Sequence, residues 1–349
     1  MKESIGFLAI GQGGGNIGLL FQEAGHTVLC VNSSLEDLDA LANAKHKFHL
    51  KGGEGCSKNR GRAQDLAYDN FSELLNRIEQ LFTEEDFIFV IFTTGGGTGS
   101  GASPMIIELL IRETEKKVGA VCVLPARDEP LKTQINAYEC FKELENIDGM
   151  GPTFVLDNKK IDKFTINKQF VELFGKFIEI PKSQQLSFKG NIDVAEIKEM
   201  LSARGAAIIS VTPQDKSSTA QLIKSFRENI FAPMEDDGRI THIGLSSATD
   251  IDIGAVKKEV GQSLDTFAGK NTENTVCILC GLSYPYAELK AMREKVEEKK
   301  DEITKTLSGT REPQLADGID FLGDIQKSRA KSNKAKSDFS DVFAKYRKK

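Results

Sequence analysis

Residues Gly95 to Gly101, GGGTGSG, have the composition of an anion cradle. Glycine lets the backbone come close to a ligand, and Thr98 and Ser100 add hydroxyl donors. The apolar, β-branched and aromatic run Phe87 to Thr93 precedes them, as in a buried parallel strand. Ile106, Leu109 and Leu110 follow at helical spacing. Strand, glycine turn and helix together aim several backbone N–H groups, and the partial positive charge of a helix N-terminus, at one point. That arrangement favours a phosphate. A tight turn alone needs one glycine, whereas five of these seven positions are glycine. No lysine follows the glycines, so the stretch is not a Walker A loop.

A second glycine turn, GQGGGNIG at Gly11 to Gly18, follows the short apolar strand Ile5 to Ile10. Gly13-x-Gly15-x-x-Gly18 formally satisfies the dinucleotide fingerprint. The next strand, Thr27 to Asn32, ends in Asn32-Ser33-Ser34, where a nicotinamide enzyme needs an acidic residue for the ribose hydroxyls. That ending and the second glycine loop speak against a Rossmann oxidoreductase. Leu50 to Arg62 is a glycine-rich loop carrying Lys58, Arg60 and Arg62, opening a helix over Asn59 to Leu81. Further along, Asp193-x-x-Glu196 has the spacing of a helix capping box, in which Asp193 caps the helix and Glu196 reaches back. Asn158, after the strand Thr153 to Asp157, offers an amide donor and acceptor or a helix cap.

The elements that position these groups alternate strand and helix. Val118 to Leu124 is a further strand, and Phe164 to Glu179 is a helix with Ile166, Phe170, Phe174 and Phe177 on one stripe. Gly205 to Val211, Arg239 to Ser247 and Asn274 to Leu282 read as strands, with helices around Asp215 to Asn229 and Ile253 to Phe267. At 349 residues the chain can bury two cores. Its 40% hydrophobic and 28% charged residues are those of a soluble globular protein, with no apolar run of membrane-spanning length. Six scattered cysteines read as buried thiols in a reducing cytoplasm, and the four histidines lack company at metal-ligand spacing, so no structural metal is expected. Lys327 to Lys349 carries nine basic and two acidic residues. Its +7, against −5 overall, leaves −12 on the rest, so the tail is the part suited to a polyanion or an acidic partner.

GGGTGSG resembles the signature loop of the tubulin/FtsZ superfamily of self-assembling GTPases, and the resemblance extends through ordered motifs from residue 1 to about 283. It implies an α/β fold: a Rossmann-like parallel-sheet GTPase domain (1–163), a central helix (164–182), a second, smaller α/β domain (183–283), a terminal helix (284–308) and a flexible basic tail (309–349). It implies GTP and GDP as ligands, with Mg²⁺ bridging the phosphates and waters. The phosphates and guanine would meet Gly11, Gln12, Gly13, Gly14, Gly15, Asn16 and Asn32, together with Gly95, Gly96, Gly97, Thr98, Gly99, Ser100 and Gly101. Glu129 would contact the ribose, Asn158 the guanine edge, and Phe170 would stack on the base. Where the family carries an arginine four residues after this glutamate, the chain has Thr133. The loop Leu50 to Arg62 stands where the family senses the γ-phosphate.

Gly190-Asn191-Ile192-Asp193-Val194-Ala195-Glu196 resembles the NxDxxD/E loop that enters the nucleotide pocket of the neighbouring subunit in a filament. There Glu196 would orient or deprotonate the attacking water while Asn191 and Asp193 position the loop. The last 65 or so residues resemble the TubZ branch, found on plasmids and phages. The mostly solvated helix Pro285 to Leu307 and the basic tail stand where FtsZ has strands and an adaptor peptide. That resemblance implies DNA partition, a head-to-tail homopolymer in the bacterial cytoplasm, no membrane partner, and a tail that engages a DNA-binding adaptor on a centromere-like site. Phe339, Val342, Phe343 and Tyr346 would supply the anchoring face. The lysines contacting DNA directly, a division-ring FtsZ and a non-hydrolysing filament protein are the competing readings.

Overall fold

Residues whose side chains shun water on both faces can only be central strands, and the chain supplies them in series. The computed structural model describes residues 1–160, 162–185, 190–308 and 340–347. Ile5–Ile10 (β1), Thr27–Asn32 (β2), Lys47–His49 (β3), Phe87–Thr93 (β4), Lys117–Leu124 (β5) and Pro152–Asp157 (β6) lie side by side in the order β3-β2-β1-β4-β5-β6. All are parallel. Every residue of β1 is buried, as a parallel sheet covered on both faces requires. Between the strands run Gly11–Glu23 (α1), Leu35–Ala40 (α2), Arg60–Leu81 (α3), Thr98–Glu113 (α4) and Leu131–Leu144 (α5). The strand order reverses between β1 and β4, the point at which open α/β sheets bind ligands beyond the carboxyl ends of their strands.

The phenylalanine stripe of Lys163–Ile178 (α6) seals one face of this sheet. Phe174 packs edge-on against Phe7, Phe21, Phe89 and Phe154, with ring centroids 5.5 to 5.8 Å apart. Fully buried aromatics in such geometry add attraction beyond the area they remove from water. The short segments Ile180–Ser183 (α7), Gln184–Gln185 (β7) and Val194–Met200 (α8) lead to Gly205–Pro213 (β8). β8 pairs parallel with β6, so the sheet continues without a break into the second half. There Thr219–Ser225 (α9), His242–Ser247 (β9), Ile253–Val260 (α10), Asp265–Asn271 (β10) and Asn274–Leu282 (β11) complete eleven strands among the described residues.

Three expectations about the second half change. The helix expected over Ile253 to Phe267 stops at Val260, because Gly261 (φ +103°) turns the chain into β10, parallel to β9. The helix expected over Asp215 to Asn229 is confined to α9, which Ser218 caps through the Gln221 amide. The strand expected from Arg239 begins at His242.

Tyr286–Ser308 (α11) carries the apolar stripe onto α5, burying Leu289 and Met292. Within the basic tail, Ser340–Arg347 (α12) rests on α3 and α4. Val342 and Tyr346 are buried there, Lys345 Nζ lies 2.9 Å from Glu108 Oε1, and Tyr346 Oη donates to Glu108 Oε2 at 3.0 Å. Two residues of the expected adaptor-anchoring face therefore pack against the chain's own body. Phe339 and the Phe343 side chain lie outside the described residues. All six cysteines are free and buried, and burial pushes the Cys277 thiol up to about 12. No helix among the described residues is long and apolar enough to cross a membrane.

Candidate active site

Two helix N-termini converge where β1 and β4 end. α1 starts at Gly11 and α4 at Thr98, capped by Gly97. A Cβ on Gly11 would lie 3.2 Å from the Gly99 amide nitrogen, and Gly11 also needs φ +76°, a conformation other residues resist. The first amides of each helix have no intrahelical partner, so their partial positive charges add at the same place. A cavity of about 300 Å³ opens there, lined by Gly11, Gln12, Gly13, Asn32, Gly96, Gly97, Thr98 and Gly99, with the carboxylates of Asp37 and Glu54 at its edge. Asn32 Oδ1 accepts from the Ser33 amide at 2.8 Å, and Ser33 Oγ lies 2.7 Å from Thr98 Oγ1. These bonds lock the end of β2 to the start of α4.

A second cavity of about 360 Å³ shares Gln12, Gly13 and Thr93 with the first, making one cleft. Its walls include Asn16, Gly95, Glu129, Thr133, Asn158, Lys163, Phe164 and Asn167. Asn158 Oδ1 is buried with no hydrogen-bond partner among the described residues, which suits an amide that meets a ligand donor. Glu129 Oε1 accepts from the Ala126 amide at 3.0 Å, fixing the turn that presents it. Phe164 is 64% exposed, with Lys163 Nζ 5.5 Å from its ring centroid.

The structure brings twelve expected ligand-binding residues to this cleft and sets five apart. Phe170 is wholly buried between Phe21, Phe154 and Phe231, so it cannot stack on a base. Phe164 and Asn167, near the start of the same helix, face the cleft instead. Gly14 lets α1 touch β4, since a Cβ would lie 2.3 Å from the Ile91 carbonyl oxygen. Gly15 makes room for Leu41, and Gly101 for the Arg60 backbone on α3. Ser100 Oγ donates to the Gly96 carbonyl at 2.6 Å, turning its hydroxyl back into the loop.

Helix α5, absent from the sequence reading, holds the glycine turn. Asn136 Nδ2 donates to the carbonyls of Lys58, Gly95 and Gly96 at 3.1, 3.3 and 2.8 Å. Arg60 pairs with the buried Glu143 and donates to the Ser100 carbonyl, tying α3, α4 and α5 together. A buried polar stripe of Thr133, Asn136 and Cys140 at i, i+3, i+7 is the signal that could have revealed α5.

The three candidate catalytic residues stand elsewhere. Asp193 Oδ1 accepts from the Glu196 amide and Glu196 Oε2 from the Asp193 amide, both at 2.9 Å, a complete capping box at the start of α8. Neither carboxylate, nor Asn191, lines the cleft. Lys198 on α8 pairs with Asp86, the residue just before β4, whereas the glycine turn leaves the far end of β4. Seven residues of strand separate the two, about 20 Å.

Residues 4–165 match the Tubulin/FtsZ family, GTPase domain. The chain is 30% identical to the tubulin-like protein TubZ of Clostridium botulinum C phage over 362 aligned residues, covering 99% of this chain and 100% of the relative. The chain belongs to the tubulin/FtsZ family. This TubZ-like GTPase also superposes on the crystal structure of Clostridium botulinum phage c-st TubZ with a TM-score of 0.77 at 30% identity, covering 86% of this chain and 100% of the other. A helical model of the TubZ-Bt two-stranded filament shares the fold of the TubZ-like GTPase with a TM-score of 0.74 at 18% identity, covering 90% and 93%.

Proposed function

We propose that this TubZ-like GTPase binds GTP in the cleft at the ends of β1 and β4 and hydrolyses it only when a second copy docks head to tail. The carrying observation is separation: the phosphate cradle lies at one edge of the sheet and the Asn191, Asp193 and Glu196 loop at the other. A carboxylate at the opposite end of the strands, roughly one strand length of about 20 Å from the glycine turn, cannot act on a phosphate within the same molecule. Stacking one subunit on the next brings the two ends together. Such a heterologous contact does not close on itself and so generates a filament. The two-stranded filament of the TubZ-Bt neighbour supports this reading.

In the joint, the amides of α1 and α4 hold the phosphate oxygens, and Asn158 pairs with the guanine edge. Phe164, not Phe170, offers the base a face. Glu196 from the neighbour orients the attacking water and accepts its proton, which requires its bond to the Asp193 amide to open. Mg²⁺ on the phosphates would be met through waters by Glu54 and Asp37, and would neutralise charge on the leaving group. Residues 1–163 then serve as the nucleotide domain, 183–283 as the activating one, and the helix 284–308 and basic tail 309–349 as appendages. The filament moves plasmid or phage DNA in the cytoplasm, its tail binding a DNA-binding adaptor. That capture competes with the seat of Val342 and Tyr346 on the chain's own surface.

Glu196→Ala tests the catalytic assignment. GTP binding and pelletable filaments persist while phosphate release falls by about 100-fold or more. Normal turnover by this variant would remove Glu196 from the mechanism.

A further inference from the structure

Among the described residues, the phosphate end of the cleft is lined by Asp37 and Glu54 but by no lysine or arginine, and Lys163 is the cation lining the other end. A nucleotide triphosphate is strongly anionic, and the two carboxylates, which would meet it through Mg²⁺, bring no positive charge of their own. The loop before α3 holds a cation close by. Lys58 Nζ donates to Thr133 Oγ1 at 2.6 Å, and Thr133 is itself a wall of the cleft. Thr133 lies against Gly95, its Cγ2 being 2.2 Å from where a Cβ there would fall. The Lys58 backbone nitrogen lies 2.9 Å from the corresponding point on Gly97. The lysine thus begins against Gly97 and ends against the residue that covers Gly95.

Two further observations set this residue apart. Ser57 and Lys58 have φ of +45° and +58°, consecutive left-handed conformations that side chains resist. The surroundings enforce them: Lys132 Nζ donates to the Ser57 carbonyl at 3.0 Å and Asn136 Nδ2 to the Lys58 carbonyl at 3.1 Å. No carboxylate pairs with Lys58 among the described residues; its ammonium rests on a neutral hydroxyl that cannot compensate the charge.

We infer that Lys58 is the phosphate-binding cation of this cleft and that Thr133 is its positioning residue. The inference rests on the cleft being the GTP site. When nucleotide enters, the ammonium transfers from the Thr133 hydroxyl to a phosphate oxygen, exchanging a neutral hydrogen bond for a charge-assisted one. Thr133 keeps the long side chain over the glycine turn, so little rotamer freedom is lost on binding.

Equilibrium titration with GTP, with turnover measured alongside, tests this on Lys58→Met, Lys58→Arg and Thr133→Val at low and high salt. Lys58→Met keeps the aliphatic stem and removes the charge. The expected result is about 10- to 100-fold weaker GTP binding, a shallower salt dependence, and a raised KM with kcat within about threefold at saturation. Lys58→Arg retains binding to within about threefold. Thr133→Val weakens it by about threefold in the wild type but not in the Lys58→Met background. Thermal unfolding of each variant separates loss of charge from loss of fold. A folded Lys58→Met that binds GTP like the wild type, with the same salt dependence, overturns the inference and leaves the cleft intact as the GTP site. Failure of the wild type to bind GTP overturns the reading of the cleft itself.

Discussion

At the C-terminal edge of its parallel strands the chain presents backbone, with the amides of α1 and α4 converging on glycines. At the opposite edge it presents side-chain carboxylates on the first turn of a seven-residue helix. The first surface suits a bound anion and is fixed by close packing, since a Cβ at Gly14, Gly97 or Gly101 would meet backbone within 3 Å. The second is only partly buried and held by two reciprocal hydrogen bonds. The cradle is rigid and the carboxylates are adjustable. That division is what a site completed by a second subunit needs, because the half that holds substrate must be preorganised and the half that arrives must adapt.

Substitutions at either end sharpen the contrast. Gly97→Val drives a side chain into the backbone at Lys58, and GTP affinity falls by about 100-fold or more in a nucleotide titration. Its own α8 end is untouched. A mixture of Gly97→Val with Glu196→Ala should therefore recover turnover that neither shows alone, and failure to recover would break the division of labour.

Helix α11 braces the cleft side from α5. Tyr286 Oη donates to Glu145 at 2.8 Å near the foot of α5, and Lys295 reaches the Arg127 carbonyl beside the cleft. Glu288 is its anchor: the hydrogen bond from Arg127, with Lys159 beside it, holds the carboxyl down at about 2, from 4.5. A depressed carboxyl stabilises the fold above its unfolded value, and that stability is lost as pH falls from about 4.5 towards 2. Glu288→Gln should cost about 1–2 kcal/mol in denaturant unfolding at pH 7 and flatten the decline across that window. An unchanged pH profile would remove Glu288 as the anchor. The smallest effect belongs to Asp193→Ala, which removes half of the capping box. It should cost about 1 kcal/mol in thermal unfolding and lower turnover severalfold without touching GTP affinity.

The glycine loops were legible because glycine runs mark close backbone approach, although part of that approach is packing, Gly14 meeting β4 and Gly101 meeting α3. The long buried strands were legible because β-branched and aromatic runs leave no alternative. Phe170 was misread because helical periodicity locates a buried face but not which end of it reaches a cleft; Phe164, two turns earlier, sits where the helix emerges. Strand β10 escaped because DTFAGKN has few apolar residues and a half-buried environment. Helix α5 escaped because its buried face mixes apolar residues with polar ones, Thr133 and Asn136 being spent on the glycine turn and on Lys58. The pairing of Lys58 with Thr133 spans 75 residues, a distance at which local pattern carries no information.

GTP turnover per molecule as a function of protein concentration tests the central claim most directly. The account predicts negligible turnover in dilute, monomeric protein and a steep rise to a plateau as subunits begin to stack. A rate per molecule independent of concentration, in protein shown by sedimentation to be monomeric, would contradict it.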